Sequence, residues 1–259
     1  MKIAVTGKGG VGKTTVSSIL ARLYADEGHN VLAADVDPDA NLGLALGFSM
    51  DELNAITPIS KMKDLANERT GADETGMGKF FKINPKVDDI PDIYAKEKNG
   101  VKLLVLGTVD VAGGGCVCPE HVILKRLISH LVLQRDDVVI LDMEAGLEHL
   151  GRGTTSFMDR FIVVVEPGAR SVQTFHNVKR LAYDLGVKKV EAVANKVRTE
   201  ADEEFIRKNI PEDELLGIIH YSGGDIEADR EAQSPYDYDQ DVVSEVRKIK
   251  EKLDKTLEV

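Results

Sequence analysis

Seven short runs rich in Val, Ile and Leu recur along the chain, and each is apolar almost from end to end. They span residues 2–6, 30–36, 102–108, 137–143, 161–167, 189–197 and 215–222. Such runs are typical of parallel strands that are covered on both faces. Most are separated by stretches with helical spacing of apolar residues, at 15–27, 120–133, 171–185 and 200–208. This alternation predicts an α/β fold, with a doubly wound, mostly parallel central sheet and helices on both faces.

Two segments depart from the alternation. Residues 48–100 are polar, rich in Asp and Lys, and hold several Gly and Pro. We interpret them as an insertion with short helices near one edge of the ligand face. The last segment, about 239–257, carries one apolar stripe at helical spacing: Val242, Val246, Ile249, Leu253 and Leu257. It predicts a packing helix rather than a membrane anchor, since its polar face mixes both charges and has no Trp or Phe. Residues 1–259 then form a single domain.

Net charge and hydropathy restrict the kinds of partner that this protein can bind. The chain has 33 Lys and Arg against 44 Asp and Glu, a net charge of -11. This acidity argues against broad binding to nucleic acids or anionic membranes. The first strand enters a glycine loop at once, unlike a signal peptide. No apolar run approaches the roughly 20 residues of a membrane span. We therefore expect a cytoplasmic protein with no nucleic-acid or membrane partner.

A glycine-rich loop, GKGGVGKTT at 7–15, follows the first strand and opens the first helix. It fits the phosphate-loop pattern G-x-x-x-x-G-K-[ST]. In such a loop, backbone N–H groups surround phosphates and the helix N-terminus adds partial positive charge. Lys13 can reach the β- and γ-phosphates, and the Thr14 hydroxyl can bind Mg²⁺. The predicted nucleotide contacts are Gly9, Gly10, Val11, Gly12, Lys13, Thr14 and Thr15.

Acidic residues end two of the predicted strands. The second strand runs into ADVDPDANL, with Asp35, Asp37 and Asp39, and the strand VVILD ends at Asp142. Carboxylates at this edge can orient an attacking water or hold Mg²⁺ through water. Asp142 occupies the Walker B position, and we expect residues 143–153 to form a switch II segment. We interpret Asp35 as structural and Asp39 as a solvated loop residue.

Asn195 and Lys196 end another strand and predict a base contact. An Asn amide can read the edge of an adenine. A guanine site usually has an acid two residues after the Lys, and this chain has Arg198 there. We therefore expect ATP or ADP rather than a guanine nucleotide.

Lys8 adds a second lysine to the phosphate loop, giving K-G-G-V-G-K-T. With it the loop resembles the deviant Walker A family, which includes the nitrogenase iron protein, arsenite-pump ATPases and MinD/ParA-type ATPases. The resemblance implies a P-loop ATPase that works as a homodimer. It also implies that Lys8 reaches the partner's nucleotide and that Asp37 is the switch I aspartate linked to hydrolysis.

Cys116 and Cys118 are the only two cysteines of the chain, and three glycines precede them. A structural zinc site or a thiolate-held cluster takes four ligands, and two chains would offer four thiols. We therefore predict one shared site on the twofold axis of a dimer. Pro119 suits the first turn of the next helix, whose N-terminus should lower the thiol pKa. Thiolates alone favour zinc, copper(I) or iron–sulfur, and this chemistry does not choose nickel.

Four motifs together resemble the CooC-type accessory ATPases that assist nickel insertion into carbon monoxide dehydrogenase: KGGVGKTT, DVDPDANL, CVCPEH and DMEAGLEHLGRG. The likeness runs from residue 1 to about 240. It implies an ATP-hydrolysing metallochaperone that holds one Ni²⁺ or Zn²⁺ per dimer through Cys116 and Cys118. It further implies Mg²⁺ as a cofactor and apo carbon monoxide dehydrogenase as the client.

Two other functions stay open at this point. The first is an iron–sulfur redox ATPase like the nitrogenase iron protein, although this chain lacks a cysteine in its switch II run. The second is a MinD/ParA-type positioning ATPase, which would not need the cysteines. His121 and His149 lie near the cysteines or in switch II, and we interpret both as solvated or capping residues.

Overall fold

A computed structural model describes residues 1–72, 82–107, 118–134, 137–144, 158–231 and 233–255. Within these ranges eight strands form one sheet in the order β3-β4-β2-β5-β1-β6-β7-β8. The strands are β1 Lys2–Gly7, β2 Val31–Asp35, β3 Lys96–Lys98, β4 Val101–Val105, β5 Val138–Asp142, β6 Arg160–Val165, β7 Val190–Val197 and β8 Leu215–His220. Every pairing is parallel except β3 with β4. All seven predicted strands are present, and the predicted fold class is confirmed.

Helices connect the strands and cover the sheet. They are α1 Lys13–Asp26, α2 Leu42–Ala45, α3 Met50–Asn54, α4 Lys63–Thr70, α5 Ile90–Tyr94, α6 Pro119–Gln134, α7 Ala169–Asp184, α8 Glu200–Asn209, α9 Gly223–Arg230, α10 Pro235–Tyr238 and α11 Gln240–Lys255. Two 3₁₀ turns lie at Ile59–Lys61 and Glu212–Glu214. Helix α6 begins at Pro119, as predicted, because proline fits the first turn of a helix.

The sheet separates two apolar cores. Successive residues of β1 alternate between them: Ile3 and Val5 pack on the side of α1 and α11, and Ala4 packs on the side of α6 and α7. Because both faces are covered, the strands carry no polar alternation, which is the pattern that predicted them.

The described part of residues 48–100 contains three short helices, a 3₁₀ turn and the edge strand β3. The strand was not predicted, since Lys-Glu-Lys carries no apolar signal and its first two residues are exposed. It pairs with β4 through a turn at Asn99 and Gly100, where φ is 52° and 75°. Asn-Gly is a strong signal for such a hairpin, so the turn between β3 and β4 could have been predicted from the sequence. Charged side chains on a short edge strand also discourage pairing with another chain.

Helix α11 covers the face of the sheet beside β8 and α1. The side chains of Val242, Val246, Ile249 and Leu253 are buried in the core shared with α1, and Leu257 of the predicted stripe lies outside the described residues. No helix in the described ranges is both long and apolar enough to cross a membrane.

We predict that Gly217→Ala destabilises the protein. A Cβ at Gly217 would lie 2.5 Å from Cγ1 of Ile249, whose branched side chain is buried between α11 and β8. Overpacking of this kind costs about 1–3 kcal/mol. Urea unfolding measures the loss, with Gly223→Ala as the control, because a Cβ at Gly223 meets nothing within 4 Å. Equal free energies of unfolding for the two variants would contradict this packing.

Candidate nucleotide-binding site

A cavity of about 690 Å³ opens at the carboxyl edge of the sheet, where parallel strands deliver their loops. One end is formed by the loop after β1, with Gly9, Gly10, Gly12, Lys13, Thr14 and Thr15, together with Asp37, Asp39 and Glu144. The other end is formed by Asn195, Lys196, Arg198, Tyr221, Pro235 and Val242, among others. The structure therefore brings nearly all the predicted nucleotide contacts into one place.

The phosphate loop ends at Gly12, which starts α1 in a left-handed conformation with φ 93°. A Cβ at Gly12 would lie 2.2 Å from Nδ2 of Asn195, so both the backbone and the space require glycine. No side chain caps the start of α1. Its first N–H groups are therefore available to an anion.

Asn195 and Lys196 hold the phosphate loop from the neighbouring side. Asn195 Nδ2 donates to the carbonyl oxygen of Val11 over 2.8 Å, and its Oδ1 accepts from the backbone N–H of Lys196. Lys196 Nζ donates to the carbonyl oxygen of Gly10 and lies 2.9 Å from Oε1 of Glu166. The geometry gives this pair a bracing role that the sequence did not reveal. Its predicted contact with the base stays a prediction.

Lys13 and Asp37 form an ion pair across the phosphate end of the cavity. Lys13 Nζ lies 3.5 Å from Asp37 Oδ2, and the two side chains are only 6% and 13% exposed. Lys13 Nζ also donates to the carbonyl oxygen of Lys8 over 3.4 Å, whereas Lys8 itself is exposed. The predicted phosphate-binding lysine and the predicted hydrolytic aspartate are therefore already neighbours.

Asp142 ties the start of α1 to the end of β5. Thr14 Oγ1 donates to Asp142 Oδ2 over 2.7 Å, and Ser17 Oγ donates to Oδ1 over 3.1 Å. Ser17 was not predicted, because nothing in its local sequence marks it. Hydroxyl and carboxylate oxygens are the donors that Mg²⁺ takes in proteins, so this set fits the predicted ion.

Asp35 organises the loop that carries Asp37. Its Oδ1 accepts from the backbone N–H of Asp37 over 3.1 Å, and its Oδ2 accepts from that of Leu42 over 3.0 Å. These contacts agree with the structural role expected for Asp35. It also pairs in register with Asp142 on the neighbouring strand. Burial, strengthened by the nearby Asp142 carboxylate, raises the pKa of Asp35 to about 7, and burial raises that of Asp142 to about 6.

The far end of the cavity presents a stacked cation and ring. The Arg198 guanidinium lies 3.8 Å from the centroid of the Tyr221 ring. Arg198 occupies the position where a guanine site would have an acid, so no carboxylate is available at this position to read guanine. Tyr221 was not predicted, although it lies in the segment that we expected to close over the base.

Glu144 begins the segment after β5 and also lines the cavity. Its backbone oxygen accepts from Thr6 Oγ1 over 2.6 Å, which fixes the start of this segment against β1. The remainder of the predicted switch II segment, from 145 onward and including His149, lies outside the described residues.

Of the two cysteines, the structure describes Cys118, and Cys116 lies outside the described residues. Cys118 has a free, half-buried thiol directly before α6. Burial raises its pKa, with a further contribution from Glu120, and the backbone N–H of His121 opposes the rise only in part. The expectation that the helix N-terminus would lower this pKa is therefore wrong, because burial outweighs it. Within the described ranges, no group of three or more His, Cys, Asp and Glu residues is placed to hold a metal.

Residues 2–236 match the family of CobQ/CobB/MinD/ParA nucleotide-binding domains. The chain belongs to this family. It is therefore a P-loop ATPase, and the predicted use of ATP or ADP agrees with the family. The chain is also 49% identical over 237 residues to the carbon monoxide dehydrogenase accessory protein CooC of Rhodospirillum rubrum, covering 92% of this chain and 90% of CooC. The resemblance predicted from the four motifs is confirmed.

Other members of the family extend the comparison. An ATP-binding protein of Methanocaldococcus jannaschii is 45% identical over 252 residues, which is 96% of each chain. The septum site-determining protein MinD of Pyrococcus horikoshii, solved with Mg-ADP, superposes with a TM-score of 0.64 at 23% identity, over 98% of this chain and 96% of that one. A plasmid partition protein of Borrelia burgdorferi bound to AMPPNP gives a TM-score of 0.69 at 16% identity, over 98% and 99%. These structures establish the shared fold.

We expect Asp35→Asn to change how stability depends on pH. Folding raises the pKa of Asp35 from 3.8 to about 7. The stability gained by holding this proton is present below about pH 3.8 and is lost as the pH rises through about 7. The variant lacks this titrating group. The difference in free energy of unfolding, variant minus unmodified chain, should therefore be larger at pH 8 than at pH 5 by on the order of 1–3 kcal/mol. Urea unfolding without nucleotide measures this, with exposed Asp51→Asn as the control. A gain that is equal at both pH values would contradict the prediction.

We predict that Tyr221→Ala weakens the binding of ATP. If the Arg198–Tyr221 stack supports the base, the variant should bind ATP roughly tenfold more weakly, since stacking a base on an aromatic ring contributes about 1–3 kcal/mol. Pyrophosphate has no base, so its affinity should not change. Calorimetry measures both ligands, with Tyr183→Ala as the control, because that exposed ring also lies beside a cation, Lys179. An equal loss for ATP and pyrophosphate would place Tyr221 outside the base site.

Proposed function

We propose that this chain is an ATP-hydrolysing metallochaperone that works as a homodimer. It binds Ni²⁺ or Zn²⁺ through Cys116 and Cys118 of both subunits and assists nickel insertion into apo carbon monoxide dehydrogenase. The observation that carries the proposal is the 49% identity with CooC over nearly the whole chain, together with the C-x-C pair next to α6.

The chemistry of the cavity supports ATP hydrolysis with named roles. Phosphates bound at the start of α1 would compete with Asp37 for the Lys13 ammonium, which now lies 3.5 Å from that carboxylate. Asp37 would then be free to orient a water molecule for attack on the γ-phosphate. Thr14 would bind Mg²⁺ directly and Asp142 through water, and the ion would neutralise charge on the phosphates.

Two features of the phosphate loop support a dimer in which Lys8 acts on the partner's nucleotide. Lys8 is exposed and is not among the described residues that line its own cavity. Gly9 has an ordinary φ, and a Cβ there would meet nothing within 4 Å. In the part of the chain that the structure describes, neither backbone conformation nor crowding explains this glycine. Close approach of a second chain would explain it.

The topology supports a link between the thiols and the nucleotide. A crossover helix in a parallel sheet starts where the preceding strand ends, so the start of α6 lies at the carboxyl edge, as the phosphate loop does. Strands β4 and β1 are three positions apart in the sheet. At about 4.8 Å per strand, their ends are roughly 14 Å apart. Helix α6 then leads into β5, which ends at Asp142. Thiol and Mg²⁺ ligand are therefore joined by one helix and one strand.

The shared thiolate site is tested by metal stoichiometry. Reduced, metal-free protein is titrated with Ni²⁺ and with Zn²⁺, and its mass in solution is measured with and without nucleotide. We expect one metal per two chains, tied to dimer formation. The affinity should rise with pH, because the metal must displace a proton from a thiol whose pKa is raised. Cys116→Ser and Cys118→Ser should each abolish stoichiometric binding.

The control is His176→Ala, which removes an exposed imidazole from α7 and should leave the stoichiometry unchanged. Metal binding that persists in the cysteine variants would remove the thiols from the site. Iron–sulfur absorbance in the purified dimer would instead indicate a redox ATPase. ATP-dependent sedimentation with DNA or liposomes, without metal binding, would indicate a positioning ATPase.

A further inference from the structure

A second cavity, of about 330 Å³, lies between α6 and the segment that leads into α5. The described residues that line it are Asn84, Pro85, Lys86, Val87, Asp88, Arg126 and His130. None of them belongs to the nucleotide cavity. This second cavity is therefore a separate place on the molecule, formed by a helix that begins beside Cys118 and by part of the 48–100 segment.

Arg126 is the unusual residue of this cavity. Its Nε is buried and has no hydrogen-bond partner among the described residues. Three other arginines also have a buried Nε without a hydrogen-bond partner, but each reaches an acid through its terminal nitrogens: Arg22 with Asp237, Arg69 with Asp89, and Arg160 with Glu191. None of the ion pairs found within the described ranges includes Arg126. A guanidinium whose buried nitrogen lacks an acceptor is costly unless a ligand supplies one.

The remaining charges of the cavity define the ligand. Lys86 Nζ lies 3.7 Å from Asp88 Oδ2, so these two charges largely offset each other. His130 is buried and follows Arg126 by four residues, which places both on one face of α6. The Asn84 amide adds a further polar group to the lining. With one guanidinium that has no acid partner among the described residues, and a carboxylate at the rim, the cavity suits a single negative charge better than a phosphate dianion.

We propose that this cavity binds a carboxylate, anchored by the guanidinium of Arg126. A carboxylate offers two oxygens to the planar N–H groups of arginine and would supply the acceptor that Nε lacks. Its source is either a free small carboxylate or an Asp or Glu side chain of a partner protein. Ile83, which is 78% exposed and directly precedes Asn84, offers a protein partner an apolar contact beside the cavity.

The cavity lies on the same helix that begins beside Cys118. Arg126 lies eight residues after Cys118, about 12 Å along α6 at 1.5 Å per residue. Helix α4 and the 3₁₀ turn at Ile59–Lys61 pack on the same helix. An occupant would therefore connect the 48–100 segment to the helix that follows Cys118. The carboxylate site itself requires neither a metal nor a nucleotide.

The test uses the nucleotide-free, metal-free full chain and follows the Nε–Hε signals of arginine by ¹⁵N NMR. N-acetyl-glutamate amide is the probe, and N-acetyl-glutamine amide is its uncharged counterpart. We expect a saturable shift of one buried Nε–Hε signal with the glutamate compound, and no shift with the glutamine compound. Calorimetry on the variants supplies a readout that does not depend on this signal. It should detect no binding of the glutamate compound to Arg126→Gln and weaker binding to Arg126→Lys, since lysine keeps the charge but loses the two-pronged geometry. Arg207→Gln, an exposed arginine of α8, is the matched control.

Acetate separates the two sources of the ligand. A response to acetate equal to that of the glutamate compound indicates a free small carboxylate, and a response to the glutamate compound alone indicates an acidic side chain. The proposal is overturned by an equal response to the glutamine compound, by a response that survives in Arg126→Gln, or by no response at all. Thermal melting of each variant shows whether a lost response reflects unfolding.

Discussion

Two buried carboxylates on adjacent strands organise the carboxyl edge of this sheet. Asp35 and Asp142 end β2 and β5 in register, and their carboxylate oxygens accept hydrogen bonds from different segments. Asp142 accepts from Thr14 and Ser17 of α1, and Asp35 accepts from the backbone of Asp37 and Leu42. The start of α1 and the loop that carries Asp37 are thus both set by this pair. Burial raises both pKa values, and the Asp142 carboxylate raises that of Asp35 further, so the pair costs stability that a bound cation would offset.

The phosphate loop is also held from the opposite side of β1. Asn195 and Lys196, at the end of β7, donate to the carbonyl oxygens of Val11 and Gly10. The carbonyl groups of the loop are therefore directed towards protein donors. This arrangement leaves the N–H groups at the start of α1 for phosphates, since no side chain caps that helix. The loop is shaped before nucleotide arrives, which lowers the entropic cost of binding.

Much of this architecture could be predicted from local patterns. The seven buried strands are continuous apolar runs, and the phosphate loop, Asp37 and Asp142 sit in recognisable motifs. The side chains that assemble the site could not be found in this way. Ser17 meets Asp142 across 125 residues of sequence, and Asn195 meets Val11 across 184. Such contacts depend on strand order, which periodicity does not reveal. The strand β3 was missed for another reason, because a three-residue charged edge strand buries too little to leave an apolar pattern.

Cys118 shows how a correct motif can carry a wrong electrostatic expectation. A thiol at a helix N-terminus is stabilised as the thiolate by the helix dipole, but a half-buried thiolate is less well hydrated than one in open water. At Cys118 the effect of burial is the larger, and the neighbouring Glu120 raises the pKa further. In the metal-free chain this thiol therefore holds its proton more tightly than a free cysteine does. Because thiolates are oxidised more readily than thiols, the raised pKa makes Cys118 less reactive towards oxidants than an exposed cysteine. The same burial that raises the pKa would make metal binding at the proposed thiolate site depend on pH, because the metal must displace this proton.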